Sequence, residues 1–381
     1  MRKKRKLLTS IFTAALMAAL AVTPVAAEGG ATTPAPTPTP FIYEPISGDD
    51  DDCTFTKELE MDTNANVPPV EFSFSIEAGS AIGADPETPG KLAVLAGAVV
   101  TDDGVVTAPS IDDVIFASNN PTTSSENQDK KIATQNATID FSRVSFSEPG
   151  VYRYIITETA LSTDSAFSIV GKNTRTLDVY VEEASATDDA DGTTPETGLK
   201  IAGYVLYDGT VTAAPNVAAT KGNVTEKPNG AEAGTKSDGF KNSYDTADLT
   251  FGKEVKGNQG SKDKYFKFTV EISNAKVGTV YDVDLSHADT SIAAKPNAAT
   301  TCITKAVTNP SKIIATRPET DEAEDDESET DTVIVSTTFY LQDGQYITIK
   351  GLAKGTEYKV IEDAEDYTSE SGIDKEDKYN I

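Results

Sequence analysis

The stretch Cys53-Thr-Phe-Thr-Lys-Glu-Leu59, CTFTKEL, alternates as a half-buried β-strand does, with one residue on the wrong side. Thr54, Thr56 and Glu58 share one face, while Phe55, Lys57 and Leu59 share the other. This period of two decides the fold, because it recurs along the chain and no amphipathic helix pattern of any length competes with it. Val70-Glu-Phe-Ser-Phe-Ser-Ile-Glu77 sets Phe72, Phe74 and Ile76 against Glu71, Ser73 and Ser75. Further strands are predicted over 137–146, 150–158, 175–183, 199–207 and 239–244. With 53–60 they form a set of strands separated by Gly, Pro, Asn and Asp-rich connections, the spacing of an immunoglobulin-like β-sandwich. The stretch 80–134 is weakly patterned and reads as loop with short strands.

A second unit begins near Asp248, with strands predicted over 248–256, 264–273, 279–285, 332–340, 345–350 and 356–363. The two units repeat one plan. Each opens on an apolar strand interrupted by lysine, FTKEL around Lys57 and LTFGKEV around Lys253. Each continues into a Phe-rich strand, VEFSFSIE or YFKFTV, and each later has a Gly-led strand ending in glutamate, GVYRYIITE at Glu158 and GTEYKVIE at Glu362. The expected architecture is therefore all-β, two tandem immunoglobulin-like β-sandwich domains over 53–246 and 247–381, the second lacking its last strand.

Upstream, MRKKRKLLTSIFTAALMAALAVTPVAAEGG has five basic residues, an apolar run and small residues at Val25-Ala26-Ala27, the layout of a signal peptide over 1–27. The apolar run is short for a transmembrane helix. Residues 28–52, rich in Thr, Pro and Asp, read as a disordered, semi-rigid linker. A net charge of −28 argues against nucleic-acid binding. His287 is the only histidine, and Cys53 and Cys302 are far apart, so neither a metal nor another cofactor is expected. One cysteine falls in each unit, and unpaired buried thiols are the expectation. The acidic run 321–331, DEAEDDESETD, lacks an EF-hand spacing and reads as a solvated loop, as does Asp49–Asp52.

Lys57 is not alone on an apolar face. Lys253 shares its face with Leu249, Phe251 and Val255; Glu158 with Tyr152, Tyr154 and Ile156; Asn242 with Phe240 and Tyr244; Glu362 with Tyr358 and Val360. A buried charge must pair, neutralise or react. For one such strand, an ion pair or a lysine snorkelling to water is a sufficient account. Lys, Glu and Asn together, with Lys and Glu repeated, point further. An apolar setting favours the neutral amine and the neutral acid. A neutral amine is a nucleophile, and a carboxamide beside it is an electrophile that a carboxyl group can polarise and serve by proton transfer. The expectation is an amide joining Lys57 to Asn242, with Glu158 as catalytic acid/base and ammonia released.

FTKELEMD, VPPVEFSFSI, VSFSEPGVYRYIITET and GFKNSYDTADLTFGKEV resemble the two-domain major pilin subunits of Gram-positive, streptococcal-type pili. GNQGSKDKYFKFTV and LQDGQYITIKGLAKGTEYKVIED resemble the second domain of such proteins. The resemblance covers most of 53–363. It implies intramolecular Lys–Asn isopeptide bonds, at Lys57, Asn242 and Glu158 in the first domain and at Lys253 and Glu362 in the second. It also implies sortase linkage to other pilin subunits, and through them to cell-wall peptidoglycan, at the surface of the cell. The acceptor lysine is sought among Lys221, Lys227 and Lys236, with Lys236 nearest the family's position. The chain departs from the family pattern in two respects: no Asn-bearing strand follows Glu362, Asn380 lacking apolar flanks, and no LPXTG-like sorting signal is present. Such a chain reads as a fragment or a truncated product.

The leading expectation is a structural shaft subunit rather than an enzyme, since the self-modification occurs once per chain. An adhesin or ligand-binding module, with a host ligand bound over 80–134 or 276–331, is the alternative on the same fold. One histidine and no Gly-X-Ser-X-Gly motif argue against a secreted hydrolase.

Overall fold

The computed structural model of the chain describes residues 41–42, 53–83, 93–102, 105–107, 109–161, 165–183, 199–214, 235–258, 260–294, 305–317 and 332–363, besides two isolated positions. The signal-peptide segment, most of the Thr/Pro-rich stretch, the acidic run 321–331, Lys221, Lys227, Cys302 and Asn380 lie outside the described residues. Within the Thr/Pro-rich stretch, Phe41–Ile42 pairs antiparallel with Ser145–Phe146.

The architecture is all-β, two tandem immunoglobulin-like sandwiches. The strands that carry the first are β1 (Cys53–Asp62), β2 (Phe74–Ala78), β3 (Lys130–Asp140), β4 (Gly150–Glu158), β5 (Phe167–Ile169), β6 (Thr174–Glu183), β7 (Leu199–Asp208) and β8 (Gly239–Tyr244). One sheet runs Thr122–Ser124, β3, β1, β8, β5, and the facing sheet runs β7, β6, β4, β2. Val94–Ala96 lies parallel to β4. Among the strands numbered here, neighbours are antiparallel except β8 on β1, which run parallel with Phe240 opposite Lys57 and Asn242 opposite Leu59. A parallel pair cannot be closed by a tight turn, so the rest of the sandwich is laid down between its members.

The second sandwich uses β9 (Thr246–Gly252), β10 (Phe266–Lys276), β11 (Val280–Asp284), β12 (Lys312–Ile314), β13 (Thr332–Leu341), β14 (Tyr346–Ala353) and β15 (Glu357–Asp363). Its sheets run β9, β14, β11, β12 and β13, β10, β15. Each sandwich has its own core. Leu59, Phe72, Tyr154, Leu177 and Phe240 are among the residues that fill the first, and Phe266, Ile272, Phe339 and Ile347 are among those of the second. The two meet through side chains of the loop after β1. Asn64 donates to Asp248, Asn66 donates to Val280 O and Asp282, and Gly351, at φ +71°, lies so close to Ala65 that an added Cβ would fall 2.7 Å from its Cα.

Three local expectations change. The strand predicted over 137–146 starts at Lys130 and stops at Asp140, whose carboxylate accepts from Ser142 N and turns the chain. The strand predicted from Val70 breaks at Ser73; Val70–Phe72 pairs with Val114–Phe116, and β2 pairs with β4. β5 and β12 were not anticipated, because three residues are too few for a period of two to register.

Parity alone would put Arg153 of β4 in solvent, opposite Tyr152 and Tyr154. Instead Arg153 and Asp178 are buried as a bidentate pair, Nε–Oδ1 and Nη2–Oδ2 both 2.7 Å. Arg153 Nη1 donates to Val211 O at 2.9 Å and Ala213 O at 3.0 Å, so the segment after β7 covers the pair. Asp178→Ala would strand this guanidinium and is expected to cost about 3–5 kcal/mol. A drop in urea midpoint with unchanged slope measures it; a midpoint within experimental error of the parent would contradict the role given to the pair.

Candidate functional site

β1 places Lys57 in the middle of the first core because every second residue of the strand, Cys53 to Met61, is buried. Lys57 is 0 % exposed, Glu158 1 % and Asn242 2 %. Glu158 ends β4 on the facing sheet, and Asn242 lies on β8, beside β1. Three strands from two sheets thus bring the three polar groups to one point. The Lys57 amine stands 2.8 Å from Glu158 Oε2 and 2.5 Å from Asn242 Oδ1. The Phe72 ring lies beneath it, with Nζ 4.1 Å from the centroid. The other carboxyl oxygen, Glu158 Oε1, is buried without a hydrogen-bond partner among the described residues. Buried polar atoms are seldom left so, and each such atom calls for an explanation.

Removal from water pushes the Lys57 pKa down from its ordinary 10.5 to about 8, against the pull of Glu158 and with a smaller push from the Arg175 cation. The site is therefore an amine that gives up its proton more readily than an exposed lysine, in contact with a carboxamide and a carboxyl group, in an apolar box.

β8 reaches this position because residue 239 is glycine. Its φ is +153°, and an added Cβ would fall 1.8 Å from Thr56 O. The close approach of β8 to β1 is open only to a residue without a side chain. Gly239, Phe72 and Arg175 are the parts of the site that sequence reasoning missed. A glycine opening the strand that bears Asn242 was the available signal for the first; the other two had none, since their contact with Lys57 is made across the sandwich or through Phe240.

In the second sandwich Lys253 pairs with Glu362, and Lys253 Nζ lies 4.2 Å from the Phe266 ring centroid. The pairing repeats the first site, with side chains 11 % and 14 % exposed where Lys57 and Glu158 are fully enclosed. Asn309, the buried asparagine of this sandwich, is engaged elsewhere, with Asp289 O, Tyr340 O and Tyr340 N. Among the described residues no asparagine is bonded to Lys253. Lys236 is exposed just before β8, at a groove lined also by Phe55, Tyr204, Leu206 and Asp238. Cys53 is buried in the first core. Among the described residues no group of His, Cys, Asp and Glu is placed to hold a metal ion.

Residues 247–380 match the family model described as a domain of unknown function, DUF7601. No curated protein matches the chain. Among solved structures, the chain is similar to the major pilin from Streptococcus pyogenes, at 21 % identity and a TM-score of 0.41, over 82 % of each chain. It is also similar to the T3.2 major pilin of Streptococcus pyogenes serotype GAS13637, at 18 % identity and a TM-score of 0.43, over 84 % of this chain and 85 % of that one.

An Asn242→Ala chain removes the carboxamide beside Lys57 and exposes the titration of the amine as a stability change. The unfolded lysine holds its proton up to 10.5 and the buried one only to about 8. Between these values the unfolded state binds more protons, so stability rises with pH, by about 1.4 kcal/mol per pH unit. The whole penalty, about 3 kcal/mol, is present below the lower value and gone above the upper one. Urea unfolding across this window measures it, with a Lys57→Met, Asn242→Ala chain as reference to cancel other groups. A difference between the two chains that stays flat with pH would refute the assignment.

Proposed function

We propose that this chain is the structural shaft subunit of a sortase-assembled surface pilus, stabilised by a self-formed amide between Lys57 and Asn242. The observation that carries the reading is the enclosed triad, an amine depressed by burial at 2.5 Å from a carboxamide oxygen and 2.8 Å from a carboxyl group. A structural ion pair needs no carboxamide, and it does not account for a buried carboxyl oxygen without a partner. In the proposed reaction the neutral Lys57 Nζ attacks the side-chain carbonyl carbon of Asn242. Glu158 takes a proton from the attacking nitrogen and delivers one to the departing Nδ2. The new C–N bond replaces the old one, ammonia leaves, and Glu158 ends as it began. No redox step or cofactor is involved, and the reaction occurs once per molecule, so the protein is not an enzyme in the turnover sense.

The proposed organisation is an export signal over 1–27, a spacer over 28–52, and pilin-type domains over 53–246 and 247–381. The exported subunit would be joined by sortase to other copies and, through them, to the cell wall. Lys236 is the proposed acceptor, being exposed on the approach to β8. Lys253 and Glu362 are proposed as the corresponding pair of the second domain.

The amide would close a loop spanning 185 residues. By the entropy argument used for disulfides this is worth about 5 kcal/mol, and unlike a disulfide it cannot be reduced. It would also replace a buried amine by a neutral amide, which removes the desolvation penalty of the charge. A shaft under tension gains most from such a link, because it joins β1 to β8, near the start and the end of the first sandwich.

Intact mass and peptide mapping of the folded protein test the reading. The expected result is loss of one ammonia, with Lys57 and Asn242 in a single cross-linked peptide; a full mass in folded protein overturns it. Glu158→Ala is expected to retain the full mass and to melt about 10–20 °C lower. Cross-linking at the parent rate in that variant would remove Glu158 from its role.

A further inference from the structure

Asn242 meets Lys57 only if β8 sits in one register on β1, and β8 is a strand of six residues. Arg175, on β6 and 5 % exposed, holds its beginning. Arg175 Nε donates to Gly239 O at 2.8 Å and to Ser237 Oγ at 2.9 Å. Its Nη1 donates to Lys172 O at 2.7 Å and Thr174 O at 2.8 Å, and stands 3.0 Å from Asp208 Oδ1. The guanidinium carbon lies 4.5 Å from the Phe240 ring centroid, and Phe240 is the register partner of Lys57. One side chain thus bonds residue 239 and stacks on residue 240 of the strand whose residue 242 would react.

We propose that Arg175 is a positioning residue for the Lys57–Asn242 reaction, fastening the start of β8 to the sheet that carries Glu158 and setting a fixed positive charge against Phe240, the register partner of Lys57. The inference rests on the reading of Lys57 and Asn242 as a bond-forming pair. Arg175 lies opposite Ile156 in the ladder between β6 and β4, two residues before Glu158, so its clamp joins the strands of the asparagine and the carboxyl group. An ion pair with Asp208 does not explain the residue, because Asp208 is 37 % exposed and such a pair is screened. A planar fork that bonds a hydroxyl and backbone carbonyls while stacking on an aromatic ring requires arginine rather than lysine. Misplacing reacting groups by about 1 Å can cost on the order of 100-fold in rate. In support, the Arg175 cation adds to the forces that disfavour the Lys57 ammonium.

The test starts from full chain recovered in urea that has never folded, diluted to begin folding, quenched at intervals and weighed intact. Parent chain is expected to lose one ammonia. Arg175→Lys, which keeps the charge and loses the fork, and Arg175→Gln, which loses both, are each expected to lose it at least tenfold more slowly. Recovery of the far-ultraviolet sheet signal should match the parent in both. The charge has its own readout, heteronuclear NMR titration of the Lys57 ε-nitrogen in an Asn242→Ala background, where no bond can form. Adding Arg175→Gln should move that titration to higher pH, and adding Arg175→Lys should leave it in place. A purely structural residue would not move it, so an unmoved titration overturns the proposal. So does cross-linking of either variant at the parent rate, or a delay equal to the delay in folding. If Arg175→Gln does not fold, Arg175→Lys decides alone, and a parent rate in it overturns the proposal. Parent chain that never loses ammonia brings down the bond and the inference together; parent that does so alongside unaffected Arg175 variants brings down the inference alone.

Discussion

The first sandwich is organised around the enclosure of one amine. Lys57 is fully buried, its nitrogen contacts both Glu158 and Asn242, and the Phe72 ring packs against it. Taking such a group out of water costs several kcal/mol unless its partners are well placed. Those partners come from different sheets, Glu158 from the sheet of β4 and Asn242 from the sheet of β1. Closing the sandwich and assembling the site are therefore a single event. A partly folded chain would still hydrate the amine, and its pKa would stay in the ordinary range.

The parallel pairing of β8 with β1 sets how far apart in sequence the contacting residues are. A hairpin partner would have placed Asn242 a few residues from Lys57, and a link between them would have constrained little. Here 185 positions separate the two residues, and the intervening chain builds most of the sandwich. The pairing also makes demands on sequence that have nothing to do with hydrophobicity. Residue 239 must lack a side chain where it passes Thr56, and Arg175 must reach across to tie that glycine to β6.

The second sandwich repeats the amine, the carboxylate and the ring, with Lys253, Glu362 and Phe266 in the places of Lys57, Glu158 and Phe72. Its Glu-bearing strand is much less covered. Tyr358 is 40 % exposed, where Tyr152 and Tyr154 of the corresponding strand are buried at 3 % and 0 %. Among the described residues β9 has β14 on one side and no strand on the other, whereas β1 lies between β3 and β8. Greater access of water and the lack, among the described residues, of an asparagine bonded to Lys253 distinguish the second Lys–Glu pair from the first, whose lysine is made unusual chiefly by desolvation.

The alternation of residues along each strand was enough to turn Lys57, Glu158 and Asn242 inward, because side-chain direction in a strand is a local property with a period of two. It also carried the all-β class and the repeat of the Lys and Glu strands in the second sandwich. Where a run is three residues long, as in β5 and β12, the period has no room to appear. Arg153 shows a different limit: parity puts it on the face away from Tyr152 and Tyr154, but its burial by the segment after β7 is a contact between distant parts of the chain. The same holds for the choice of β8 as parallel neighbour of β1, for the ring under the amine and for the reach of Arg175. Sequence by itself determined which face each residue takes. Tertiary structure alone decided which faces meet, because pairing is set by closure of two sheets over one core, and no window of sequence contains both sides of that contact.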